Sequence, residues 1–152
     1  MIATVQRVQG ASVKVGEEIV GSIEKGLLVF VGVFSDDAPT DARLLAEKVS
    51  RLRIFADSND KVNLSLSDTG FAALAVSNFT LCADVKKGNR PSFSNAMRPD
   101  GAERLYNLFV DELRKTGIEV ECGKFGADMK INSLLDGPFT ITLDTRIWRK
   151  SI

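Results

Sequence analysis

Histidine is absent from this chain, and cysteine, tryptophan and tyrosine are scarce. Without histidine there is no Ser-His-Asp or Cys-His catalytic set, no His-ligated metal and no general base of the usual kind. Any chemistry must come from carboxylates, hydroxyls, backbone amides or the substrate itself. The two cysteines, Cys82 and Cys122, lie far apart and outside any CxxC pattern. They make neither a metal site nor a disulfide framework, and they fit a reduced compartment, which we expect to be cytoplasmic. Excess charge is missing too: 20 Lys+Arg balance 20 Asp+Glu. A chain held permanently on nucleic acid is usually basic, so such a partner would have to be met by a local patch or only briefly. No apolar run approaches the roughly 20 residues of a membrane span. Met1-Ile2-Ala3-Thr4 runs straight into an alternating pattern, so no signal peptide is expected.

What is present fits one compact domain, the common case for 152 residues. We expect it over residues 1–145, with 146–152 as a basic tail. Ile2–Val8 and Ala11–Val15 alternate, Gly16-Glu17 turns the chain, and Ile19–Ile23 returns, which predicts a hairpin. Leu27–Phe34 is too apolar for a wet face and reads as a central strand, with Gly32 marking close packing of another backbone. Ser35–Thr40 starts a helix whose apolar stripe is Ala42, Leu45, Val49 and Leu52. Leu52–Phe55 and Val62–Leu66 read as short strands around a turn at Asp57–Asp60. A second helix begins at Pro99-Asp100-Gly101, buries Ala102, Leu105, Phe109 and Leu113, and ends at Gly117. Ile118, Val120 and Cys122 alternate, Gly123–Gly126 interrupts, and Met129, Ile131 and Ser133 resume. Asp136-Gly137-Pro138 reads as a turn into the strand Phe139–Leu143. Strands, helix, strands, helix, strands is an α+β order. Two main helices are too few for a parallel α/β sheet, so mostly antiparallel, barrel- or sandwich-like sheets are expected.

One stretch organises the rest. The hydrophobic run from Phe71 through Val76 continues into Ser77-Asn78-Phe79-Thr80-Leu81, where polar groups stand in a segment expected to be buried. A buried hydroxyl or amide without a partner costs roughly 1–3 kcal/mol. Such groups are either structurally satisfied or the floor of a site. After Leu81 the longest irregular piece, Cys82–Asn95, carries Lys86, Lys87 and Arg90. It is either a phosphate contact or a solvated loop, and charge alone favours the solvated loop. The tail Arg146–Lys150 surrounds Trp148 with cations and is expected to be a loosely docked end.

Ser77-Asn78-Phe79-Thr80-Leu81 and Gly137-Pro138-Phe139-Thr140 together resemble the two motifs of the D-aminoacyl-tRNA deacylases, also called D-tyrosyl-tRNA deacylases. Val5-Gln6-Arg7-Val8, Ala11-Ser12-Val13, Gly26-Leu27-Leu28-Val29, Leu52-Arg53-Ile54-Phe55, Asn63-Leu64-Ser65, Arg90-Pro91-Ser92-Phe93 and Phe125-Gly126-Ala127-Asp128-Met129 resemble that family in order and spacing. The likeness spans nearly the whole chain.

The resemblance implies a homodimer with its sites at the subunit boundary, acting on the aminoacylated 3′ end of tRNA. The reaction it implies is hydrolysis of the ester of a D-amino acid or of glycine, a proofreading step that needs no cofactor or metal. It implies that Gly137-Pro138 carries a cis bond and enters the partner's pocket, where its carbonyls exclude L side chains. Ser77, Asn78, Phe125 and Met129 would line the substrate pocket, the latter two as its adenosine and aminoacyl pocket residues. Lys86, Lys87 and Arg90 would lie near the acceptor stem. Thr80 is the hydroxyl one would first take as a nucleophile, but no base stands near it. The backbone amides of Phe79 and Thr80 are therefore expected to hold the oxyanion, with the ribose 2′-hydroxyl helping water attack. Two departures bear on chirality: Asn78 where the family usually has glutamine, and Leu135 where it usually has asparagine. A relaxed filter and a non-catalytic tRNA-end-binding module are the alternatives.

Overall fold

The structure is a computed structural model that describes residues 1–149. In chain order it contains β1 (Ile2–Val15), β2 (Glu18–Ile23), β3 (Gly26–Gly32), α1 (Pro39–Arg51), β4 (Phe55–Ala56), β5 (Val62–Leu64), α2 (Leu66–Thr69) and β6 (Ala72–Ser77). A 3-10 turn at Phe79–Cys82 follows, then α3 (Pro99–Lys115), β7 (Val120–Cys122), β8 (Lys130–Asp144) and α4 (Thr145–Trp148). The main sheet runs β2-β1-β3-β6-β7, and β8 pairs along the other edge of β1. β2 and β7 approach so closely that a Cβ on Gly21 would lie 2.5 Å from the Cys122 carbonyl oxygen. The sheet therefore curls nearly into a barrel, as the α+β expectation allowed. It departs from an all-antiparallel pattern, because β3–β6 and β6–β7 are parallel. The long excursions through α1 and α3 carry the chain back to the same end of the sheet, the geometry a parallel pair requires.

Why β3 and β6 are apolar on both faces is now clear. Leu27, Val29 and Val31 with Ala73 and Ala75 face the core beneath α1 and α3. Leu28, Leu74 and Val76 face a second core inside the curled sheet, with Val8, Val13 and Ile23. Neither face meets water, so alternation gives way to an unbroken run. α1 buries Ala42, Leu45, Ala46 and Val49, and α3 buries Ala102, Leu105, Tyr106, Phe109, Val110 and Leu113.

Three local expectations are corrected. Gly137-Pro138 is not a turn between strands. It sits inside β8, where Gln6 pairs Thr140 and Val8 pairs Leu135, so residues 136–139 bulge out opposite Arg7. Gly32 admits side chains, not another backbone: a Cβ there would meet Ile2 Cγ2 at 2.9 Å, Leu81 Cβ at 3.0 Å and Cys82 Sγ at 3.1 Å. The strand expected at Leu52–Phe55 begins only at Phe55, because Leu52 is the C-cap of α1.

The chain end is not loosely docked as far as it is described; Lys150 lies outside the described residues. Asp41 Oδ1 accepts from Thr145 Oγ1 at 2.7 Å and from Arg149 Nε at 2.8 Å, and its Oδ2 accepts from the Ala38 N–H at 2.9 Å. Asp37 accepts from the Met1 amino group at 2.6 Å and from Arg149. Burial pushes both carboxyls up. For Asp41 the bonds from Arg149, Ala38 and Thr145 outweigh burial and its pKa ends below the usual carboxylate value, whereas for Asp37 burial wins and its pKa is raised.

Candidate active site

The parallel pair β3–β6 sets the floor of the site. Their register runs from Gly26 opposite Ala72 to Val31 opposite Ser77. At Ser77 the chain leaves the sheet: the Asn78 N–H donates to the Val31 carbonyl at 2.8 Å and the 3-10 turn begins. Ser77 and Asn78 are half-buried and Phe79 and Thr80 exposed, so the polar groups stand at the strand's exit and not within its buried run. In the turn, the Leu81 N–H donates to the Asn78 carbonyl at 3.3 Å and that of Ala83 to the Thr80 carbonyl at 3.2 Å. A 3-10 turn bonds each N–H three residues back, so its first two N–H groups, those of Phe79 and Thr80, have no acceptor within it.

Beside this exit lies a cavity of about 680 Å³. Ser77, Asn78 and Phe79 line one wall, and Phe125 and Met129 line another. α3 supplies Ala102 and Tyr106 one turn apart. Tyr106 is buried, its hydroxyl donates to the Ala75 carbonyl at 2.9 Å, and its ring centroid lies 6.0 Å from that of Phe125. Burial pushes the Tyr106 hydroxyl pKa far above its usual value, and nearby Cys122 adds to the rise. At the mouth, Phe79 and Phe93 meet edge to face at 5.0 Å, and Phe79 remains 58% exposed. The lining is thus apolar with a few convergent polar groups, the usual character of a small-molecule site.

The remaining residues singled out by sequence fall outside this lining. Thr80 is not among the lining residues; its hydroxyl donates at 2.5 Å to Oδ1 of Asn78, which is. Lys86, Lys87 and Arg90 are exposed on the 82–95 loop. Gly137 and Pro138 are exposed, joined by a cis peptide bond, and do not line the cavity. Among the described residues, no group of three or more Cys, Asp or Glu side chains is arranged to hold a metal ion.

Sequence reasoning missed three residues. Arg7 stands opposite the Gly137-Pro138 bulge; its Nε donates to the Asp136 carbonyl at 3.2 Å and its Nη1 to the Ile54 carbonyl at 2.7 Å. The signal was an arginine inside an alternating strand, where a half-buried charge needs partners. Tyr106, the one tyrosine of the chain, was passed over beside the α3 core stripe. Arg98, at the N-cap of α3, also lines the cavity and lacked any local pattern that would have marked it.

Residues 4–144 match the family model described as D-Tyr-tRNA(Tyr) deacylase. A protein of Roseiflexus sp. (strain RS-1) named D-aminoacyl-tRNA deacylase is 51% identical over 99% of this chain and 97% of its own. One of Koribacter versatilis (strain Ellin345) with the same name is 53% identical over 96% of this chain and 98% of its own. Among solved structures, the c-Myc DNA unwinding element binding protein superposes with a TM-score of 0.89 at 40% identity, covering 95% of this chain and 98% of that one. A probable eukaryotic D-amino acid tRNA deacylase superposes with a TM-score of 0.82 at 18% identity over 93% of this chain and 97% of that one, a likeness of fold alone.

Proposed function

The chain belongs to the D-Tyr-tRNA(Tyr) deacylase family, and we propose that the cavity between the 3-10 turn and α3 is where it hydrolyses the ester of D-aminoacyl-tRNA. The observation that carries this is the meeting of two segments distant in sequence: Ser77-Asn78-Phe79 and Phe125 with Met129 share one cavity. An aromatic face and a thioether suit a terminal adenosine, and the turn's N–H groups suit an ester carbonyl.

Water attacks the ester carbonyl carbon, the oxygen gains charge, and the N–H groups of Phe79 and Thr80 hold it. Donors of this kind contribute about 3–4 kcal/mol each where measured. The tetrahedral species then breaks its bond to the ribose 3′-oxygen, which takes a proton as it leaves. Among the described residues that line the cavity, only Tyr106 and Arg98 carry an acidic or basic side chain, and neither suits a base: the Tyr106 hydroxyl is committed to the Ala75 carbonyl, and a guanidinium offers donors and no acceptor. The ribose 2′-hydroxyl is the group left to assist the attacking water. Products are a free D-amino acid, or glycine, and tRNA ready for correct charging in the cytoplasm.

Chiral selection falls to Gly137-Pro138 of a second protomer. Their exposure and absence from their own cavity's wall support this reading, as does the unpaired edge of β8 with Leu134 and Leu135 66% and 43% exposed. A fixed carbonyl wall excludes an L side chain by clash and makes no demand on the D side chain. Asn78 and Leu135 favour a second reading, a filter that also passes some L esters. Lys86, Lys87 and Arg90 would meet the acceptor stem.

The test is deacylation of D-tyrosyl-tRNA and L-tyrosyl-tRNA side by side, with EDTA present. Loss of the D ester alone is expected. Loss of both supports the relaxed filter, and loss of neither by a folded protein that binds tRNA leaves only a tRNA-end-binding module.

A further inference from the structure

Among the described residues that line the cavity, Arg98 is the one with a charged side chain. It is exposed, and among the described residues it makes no ion pair and no side-chain hydrogen bond. Its place on α3 is informative. Arg98, Ala102 and Tyr106 recur every four residues, so they share one face of the helix, and all three line the cavity. Exposure falls along that face, from Arg98 at the lip to Ala102 and Tyr106, both buried. The rise of about 1.5 Å per residue sets Arg98 about 12 Å above Tyr106 along the axis. Tyr106 and Phe125 mark the deep end and Arg98 the entrance.

We infer that Arg98 takes the phosphate on the 5′ side of the terminal nucleotide, fixing how far the 3′ end of the tRNA enters. This rests on the cavity being the site of the aminoacylated adenosine. A nucleotide whose base lies against Phe125 must send its 5′-phosphate back to the mouth, because the rest of the tRNA enters from there. An apolar wall offers that anion nothing, and Arg98 offers a planar fork of donors that matches phosphate oxygens. The start of α3, a helix of 17 residues, adds the positive end of its dipole beside Arg98. Asp100, the acid of that first turn, and Glu103, just beyond it, do not line the cavity. Arg98 is thus a positioning residue: it sets the depth of the ester relative to the Phe79 and Thr80 amides without touching the reacting atoms.

Two probes that differ by one phosphate separate this from a role in shape: adenosine and adenosine 5′-monophosphate, titrated by NMR against the wild type, Arg98→Gln and Arg98→Lys. The wild type is expected to bind the monophosphate about tenfold tighter than adenosine, a difference of about 1.4 kcal/mol. Arg98→Gln removes that preference and Arg98→Lys keeps part of it. Against tRNA, Arg98→Gln reduces the slope of log Kd on log salt by about one phosphate contact. A preference that survives in Arg98→Gln, an equal loss for both probes, or no preference in the wild type overturns the inference. A wild type that prefers the monophosphate yet hydrolyses no D-aminoacyl ester keeps the phosphate site and overturns the reaction instead.

Discussion

The guanidinium carbon of Arg7 lies 4.8 Å from the ring centroid of Phe139, while its Nε donates to the carbonyl of Asp136. One side chain of β1 thereby grips both ends of the bulge that displays Gly137 and Pro138. Cation–π attraction of this kind is worth about 0.5–2 kcal/mol, and the fork also joins Asp136 Oδ2 at 3.3 Å.

Loosening that grip should cost selectivity more than stability. Arg7→Lys keeps the charge but loses the fork, and Arg7→Ala loses both. We expect the ratio of D to L ester hydrolysis to fall about tenfold in Arg7→Ala, with a smaller fall in Arg7→Lys. Parallel rates on the two tyrosyl-tRNAs read it; an unchanged ratio would show that the bulge holds its shape unaided.

Gly137 has φ of +134°, and a Cβ there would lie 2.6 Å from the Phe139 nitrogen. Gly137→Ala must therefore distort the bulge, at a cost of about 1–3 kcal/mol. Because the bulge sits at a sheet edge, the distortion stays local. We expect a modest drop in melting temperature beside a large loss of chiral discrimination, compared by thermal melts and the same pair of substrates.

Thr80 offers its hydroxyl proton to Asn78 Oδ1 and lies off the cavity wall. Thr80→Ala keeps the backbone N–H, so turnover should stay within about tenfold of wild type. Abolition of hydrolysis, in a variant that still folds and binds tRNA, would make Thr80 the nucleophile after all.

Stability should depend on pH through Asp41. Its folded pKa is depressed, since Arg149, Ala38 and Thr145 outweigh its burial. A depressed carboxyl contributes fully above its unfolded value, about 3.9, and the contribution is lost as pH falls through the folded value. Asp37, with a raised pKa, acts in the opposite sense: it takes up a proton more readily folded than unfolded and offsets part of the loss. Chemical denaturation of wild type and Asp41→Asn between pH 7 and pH 3 is the measurement. Asp41→Asn should be less stable by about 3 kcal/mol at pH 7, with the gap closing toward pH 3.

Local pattern alone was enough for the hairpin, the central apolar strand, both long helices, the start of each and the end of α3. Each follows from local periodicity and from capping or turn residues such as Pro39, Pro99 and Gly117, signals that lie within a few residues of what they specify. The absence of histidine likewise confined the chemistry to carboxylates, hydroxyls, backbone amides or the substrate. That β3, β6 and β7 run parallel depends on where α1 and α3 return the chain, which packing sets. Packing brings Phe125 and Met129 to the strand exit at Ser77 and leaves Thr80 outside the cavity lining. Sheet register sets Arg7 opposite residues 136–139 and makes a bulge of the turn expected at Asp136-Gly137-Pro138. Those relations join residues far apart in sequence through sheet register and packing, and no local pattern encodes a register that is fixed only when both cores close.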